Sequence, residues 1–110
     1  MIKIFYHGTS SKNLKSILKI GLLPGNGRNY QEDIWLKNHC QKGVFMDAQA
    51  SVAQHYAEIA AGKYIPNSQL GQPVILAVRI NPKRLHRDIA AGGAAYFCTS
   101  RIPPKHIKKI

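Results

Sequence analysis

IKIFYHGTSSKNLKSILKIGLLP, residues Ile2 to Pro24, predicts a strand that runs almost directly into a helix. Ile2 to Tyr6 is β-branched and aromatic, which suits a half-buried pleated strand, and the His7-Gly8 step is its expected end. Ser10 or Ser11 supplies a hydroxyl that can accept from the unpaired amides of a first helical turn. Leu14, Ile17 and Leu18 then recur at i, i+3 and i+4, one face of a helix. Gly21 is a natural C-terminal stop, and Pro24 blocks resumption.

Outward from this unit, Leu22 to Asn29 reads as loop, and Tyr30 to Cys40 is open between a short helix and an ordered loop. Gly43-Val44-Phe45-Met46 predicts a second strand, with Asp47 as N-cap of a helix from about Ala48 to Ala61. Val52, Tyr56, Ile59 and Ala60 form its expected apolar face, and Gly62 ends it. Ile65 to Pro73 is rich in turn formers. Val74 to Ile80 is almost continuously apolar, the pattern of a strand buried on both faces. Asn81-Pro82 ends it, and Leu85 to Ile89 is expected to form a helical turn. Ala90 to Ala95 is a loop of Ala and Gly only. Tyr96 to Thr99 is strand-like, and Ile102-Pro103-Pro104 is a rigid approach to a last short segment, His106 to Ile110. Strands and helices mix without regular βαβ alternation, so the expectation is a single α+β domain spanning residues 1–110, not a Rossmann fold.

No apolar run approaches the roughly 20 residues of a membrane span. The N-terminal stretch lacks a signal-peptide profile, which implies a cytoplasmic protein or a domain delivered by something longer. Cys40 and Cys98 are too few for a disulfide framework, and no Cys/His spacing suits zinc. His39, His55, His86 and His106 show no metal pattern either, and surface positions suit them. The outlying property is charge. Sixteen Lys and Arg face five acids, a net +11, which attracts RNA, DNA or an acidic protein. The lysines are spread through the chain apart from a cluster at Lys105 to Lys109.

Four features occur in a fixed order. Tyr6-His7-Gly8-Thr9-Ser10 ends a strand and leads into a capped helix closing on Gly21-Leu22. Gly43-Val44-Phe45-Met46 precedes a helix that carries Tyr56. Val74 to Ile80 supplies a buried strand, and Tyr96-Phe97 precedes Ile102-Pro103-Pro104-Lys105-His106-Ile107. This set resembles the His-Tyr-Glu branch of the ADP-ribosyltransferase superfamily, which includes diphtheria-type toxins, poly-ADP-ribose polymerases and RNA 2′-phosphotransferases. The resemblance spans the chain from Tyr6 to Ile107. It implies an ADP-ribosyltransferase-like fold, a split mixed or antiparallel sheet core flanked by short helices.

The resemblance also implies roles. His7 would bond a ribose hydroxyl of NAD, and Gly8 would offer its backbone N–H and C=O to the nicotinamide carboxamide. Thr9 would brace the turn, and Arg28 with Asn29 lies in a loop that covers the NAD phosphates in the family. Phe45 stands where the family commonly has a tyrosine packed on nicotinamide, and Tyr56 would supply a second ring. Two π-faces suit a flat, cationic pyridinium. Each of these residues also has a plainer role: Phe45, Tyr56 and Tyr96 as core, His7 as a satisfied strand-end histidine, Arg28 as a solvated loop cation.

The family carboxylate that binds the ribose 2′-hydroxyl and stabilises an oxocarbenium-like transition state has no counterpart at its usual place, where this chain has Ala95. Three readings stand: an introduced Glu→Ala change, a domain that binds NAD without cleaving it, or a carboxylate reaching the site from Asp88. The implied activity is that of a toxin-type mono-ADP-ribosyltransferase, with NAD as co-substrate, no metal, and a macromolecular acceptor that the basic surface suggests is RNA or DNA. An acidic immunity or antitoxin protein is an expected partner. The alternatives are an RNA 2′-phosphotransferase-like enzyme and a non-catalytic basic nucleic-acid-binding module.

Overall fold

The structure, a computed structural model, describes residues 1–24, 43–63, 70–88 and 95–110. In the described residues the elements are β1 (Lys3–Ser10), α1 (Ser11–Ile20), β2 (Val44–Met46), α2 (Ala50–Ala60), β3 (Pro73–Ile80), β4 (His86–Asp88), β5 (Ala95–Cys98) and β6 (Ile107–Lys109). Short 3-10 turns at Pro82–Arg84 and Pro104–His106 precede β4 and β6. The class is α+β, as the mixed pattern predicts, and every described strand pairing is antiparallel. One sheet has the order β1-β3-β6 and the other β2-β5-β4.

β1 is longer than its sequence suggests. Its pairing with β3 continues from Lys3↔Ile80 through His7↔Leu76 to Ser10↔Pro73, so the His-Gly step lies inside the strand. The ladder compensates for the weak strand propensity of Gly8. Ser10 is then the N-cap of α1: its Oγ accepts from the Lys12 amide at 3.2 Å and donates to the Leu70 carbonyl. Helix α1 buries Ile17, while Leu18 on the expected face is exposed. Its end is pinned by Gly21, which has φ of 90° and whose amide reaches the Ile17 carbonyl at 2.8 Å. A Cβ at Gly21 would overlap the Ile102 carbonyl oxygen. Leu22 and Ile102 exchange backbone bonds of 2.9 and 3.0 Å, so the end of α1 and the Ile102-Pro103-Pro104 segment are stitched together.

The core lies between the sheets. Phe5, Val74, Leu76, Val78 and Ile80 of the first sheet meet Val44, Met46 and Cys98 of the second, closed by Ile17, Leu22, Ile102 and Ile107. β3 is fully buried on this face only; its other face is half-buried at Ile75 and Ala77 and exposed at Arg79. Cys98 is a free, buried thiol. Of the turn expected over Leu85 to Ile89, His86–Asp88 instead form the strand β4, because pairing with β5 overrides their poor strand propensity, and Ile89 lies outside the described residues. Ala95 is the first residue of β5, not loop.

Helix α2 starts later than predicted, at Ala50. Asp47 is not its N-cap; Asp47 Oδ1 instead accepts from the Gln49 amide at 2.8 Å, a local turn two residues upstream. Its buried residues are Ala53 and Ala57, not the expected Val52, Tyr56, Ile59 and Ala60, which are half-buried. The cause is Gly8. A Cβ there would overlap the Ala53 carbonyl oxygen and lie 2.5 Å from the Ala57 nitrogen. The helix backbone therefore rests directly on β1, and only its alanine stripe fits. Gly8→Ala is expected to cost about 1–3 kcal/mol through overpacking, read as a lower denaturant midpoint with unchanged slope. An unchanged midpoint would contradict this packing.

Candidate active site at the split between the sheets

Among the described residues the two sheets meet at a single backbone bridge. Tyr6 N–H donates to Asp47 O at 2.7 Å and Asp47 N–H donates to Tyr6 O at 2.8 Å. Backbone polar groups alternate sides along a strand. Those of Tyr6 point toward β2, so those of Gly8 do too, while His7 pairs with Leu76 on the β3 side. A continuous ladder would next pair Gly8 with Phe45. No such pairing extends the Tyr6–Asp47 bridge. Instead the His7 ring turns across the gap, and its Nδ1 lies 2.6 Å from the Phe45 carbonyl oxygen. A carbonyl only accepts, so Nδ1 carries the proton and donates.

That bond has two consequences. The sheet opens beyond the bridge, leaving the β2-facing edge of Gly8 without a strand partner among the described residues. The donating Nδ1 also fixes the tautomer, so Nε2 of the neutral ring is an acceptor. Nε2 has no partner among the described residues, and no buried side-chain N or O atom there lacks one, so Nε2 reaches solvent. Burial lowers the His7 pKa from its ordinary value, opposed in part by the bond to Phe45. The ring is therefore neutral at pH 7. The arrangement offers a hydroxyl an acceptor, and a carboxamide an adjacent backbone edge.

The other expected site residues fall around this opening. Thr9 is buried, and its Oγ1 accepts from Asn13 Nδ2 at 3.3 Å, tying the end of β1 to the first turn of α1. Phe45 is half-buried on the sheet face opposite the core. Its ring lies 5.6 Å from that of Phe97, which lies 5.2 Å from that of His86. Tyr56 is half-buried on α2 beside His55, with ring centroids 5.9 Å apart. Among the described ring contacts Phe45 and Tyr56 do not meet each other. Tyr96 packs edge-on against Phe5 at 5.5 Å, a core role. Ala95 is buried at the start of β5. The β2–β5 register, with Met46 opposite Tyr96, puts Ala95 level with Asp47. Arg28 and Asn29 lie outside the described residues.

Phe97 as the ring partner of Phe45, and His86 as that of Phe97, are not visible in spacing along the chain, because cross-strand neighbours are set by register. Asp47 is the bridge residue and not the expected cap. Its position directly after a strand was the available signal. Among the described residues, no group of three or more His, Cys, Asp or Glu side chains could hold a metal ion, and no helix is long and apolar enough to cross a membrane. Comparison with protein-family models, with curated proteins and with solved structures returns no match.

The His7 shift predicts a pH dependence. The unfolded chain, with an ordinary histidine pKa of about 6.5, binds a proton before the folded state does. The His7 contribution is therefore fully present above about pH 6.5 and is lost as pH falls through the lower folded value. Thermal unfolding at pH 8 and pH 5 is expected to show a larger loss for the native protein than for His7→Asn, whose amide can donate to Phe45 without titrating. Equal losses would contradict a buried neutral imidazole.

Proposed function

We propose that the chain is an NAD-dependent ADP-ribosyltransferase domain of toxin type, with the opening at His7, Gly8 and Phe45 as its NAD pocket. The observation that carries this reading is the split itself. An imidazole takes the place of a backbone donor at the Phe45 carbonyl, which suits a Gly8 amide edge kept for a carboxamide and a His7 Nε2 left as an acceptor for a ribose hydroxyl. The resemblance of Tyr6-His7-Gly8-Thr9-Ser10 to the family's first motif assigns the same roles to the same residues. Phe45 and Tyr56 are half-buried aromatics on the two elements that follow in order, which suits rings that contact the nicotinamide while contributing to packing.

The acceptor is a nucleic acid in this reading. The net charge of +11 favours a polyanion. Exposed Lys15 and Lys19 lie on α1, which packs against the Pro104–His106 turn that carries exposed Lys105. An acidic antitoxin would bind the same surface, and a host or target-cell cytoplasm is the expected place of action. The basic surface alone also suits a nucleic-acid-binding module without catalysis, so the test has to involve NAD.

NAD at a hundredfold excess over Kd is expected to stabilise the fold by about 2.7 kcal/mol, seen as a higher Tm. His7→Ala should abolish that increment. RNA binding is expected to weaken steeply and log-linearly with salt. A salt-sensitive RNA complex with no NAD effect on Tm would favour the binding module and count against the transferase.

A further inference from the structure

We propose that the exposed ring of His86 is a stacking platform for an unpaired base of a single-stranded nucleic acid. This rests on the nucleic-acid part of the reading above and names the form of the acceptor. β4, β5 and β2 bring three rings into one row: His86 is the register partner of Phe97, and Phe97 is the register partner of Phe45. Register partners in an antiparallel pair share one face of the sheet. The His86 and Phe97 ring centroids lie 5.2 Å apart at an interplanar angle of 32°, and those of Phe97 and Phe45 lie 5.6 Å apart at 36°. The row is on the face opposite the core residues Val44, Met46 and Cys98.

The row is accessible at its ends. Phe97 is buried and lies against Gly43, where a Cβ would come within 2.8 Å of its ring. Phe45 is half-buried at the split, where its carbonyl meets the His7 ring. His86 is exposed, on the edge strand of its sheet. Phe97 holds one side of the imidazole, so a base that stacks on the ring meets a side chain already ordered. Strand spacing puts His86 two strands and roughly 10 Å from Phe45, beside the split and not in it.

Charge selects the occupant. Lys83, Arg84 and Arg87 are all exposed in and next to the Pro82–Arg84 turn that leads into β4. Arg84 is held there, donating to Ser100 Oγ at 2.8 Å and reaching Cys98 Sγ at 3.8 Å. A flat ring beside several cations matches the two parts of a nucleotide, the base on the ring and the phosphates on the cations. In a duplex each base is covered by its stacked neighbours, so only an unpaired base presents a face to His86. Helix α1 differs in kind: it carries Lys15 and Lys19 but no aromatic residue, and so attracts phosphates whether the strand is single or paired.

The test is fluorescence anisotropy on the full chain with a labelled single-stranded RNA, its single-stranded DNA counterpart and the duplex of each, at one fixed salt concentration. Tighter binding of a single strand than of its duplex is expected. His86→Ala is expected to weaken single-strand binding about 5- to 150-fold, the loss of one stacked base, with duplex binding and the NAD-induced change in Tm retained. His86→Trp keeps a stacking face and is expected to retain single-strand binding, a rescue that a merely structural role would not produce. Unchanged single-strand affinity in His86→Ala would overturn the proposal, as would duplexes bound as tightly as single strands. A protein that binds none of these nucleic acids would overturn it too, and an NAD-induced rise in Tm would then leave the NAD pocket standing. His86-dependent binding by a protein whose Tm does not respond to NAD would support the base site and count against the transferase reading.

Discussion

The carbonyl of Phe45 has two potential donors on β1, the Gly8 amide and the His7 ring, and the ring takes it. A backbone donor would zip β1 and β2 into one continuous six-stranded sheet. The imidazole is wider than a backbone amide, so the strands separate after the Tyr6–Asp47 bridge. The rest of the site depends on that choice: an open Gly8 edge, an Nε2 left as an acceptor, and a neutral ring kept so by burial. Loss of the His7 ring would leave a carbonyl short of a partner or allow the strands to close.

Gly8 serves two surfaces at once. Its missing side chain lets the alanine stripe of α2 rest on β1, and its backbone edge looks into the split. The split and the core are therefore coupled through a single residue. A glycine argued only from ligand approach would be half explained, since helix packing excludes a Cβ independently. The stitch between Leu22 and Ile102 plays a comparable part at the far end, where it fixes the end of α1 against the approach to β6.

Local signals made part of the fold legible in sequence. The cap at Ser10, the stop at Gly21 and the strands at Val44–Met46 and Ala95–Cys98 follow from short-range chemistry, and they stand close to where the pattern puts them. What the pattern hides is tertiary. The buried face of α2 was rotated toward Ala53 and Ala57 because Gly8, over forty residues away, removes the obstacle. β4 has no strand propensity of its own and exists through its partner β5. Of the site, His7, Gly8 and Phe45 were legible as types in order along the chain. The bond joining His7 to Phe45 depends on register, which spacing does not encode.

The most direct test of the split is amide hydrogen exchange resolved at Tyr6 and Gly8 in the free protein and with NAD. Tyr6 donates to Asp47 and is expected to be protected throughout. Gly8 is expected to exchange fast in the free protein, despite lying in the same strand, and to slow when NAD is added. A Gly8 amide as protected as Tyr6 without NAD would mean that β1 and β2 are zipped beyond the bridge, and the account of the site would be wrong.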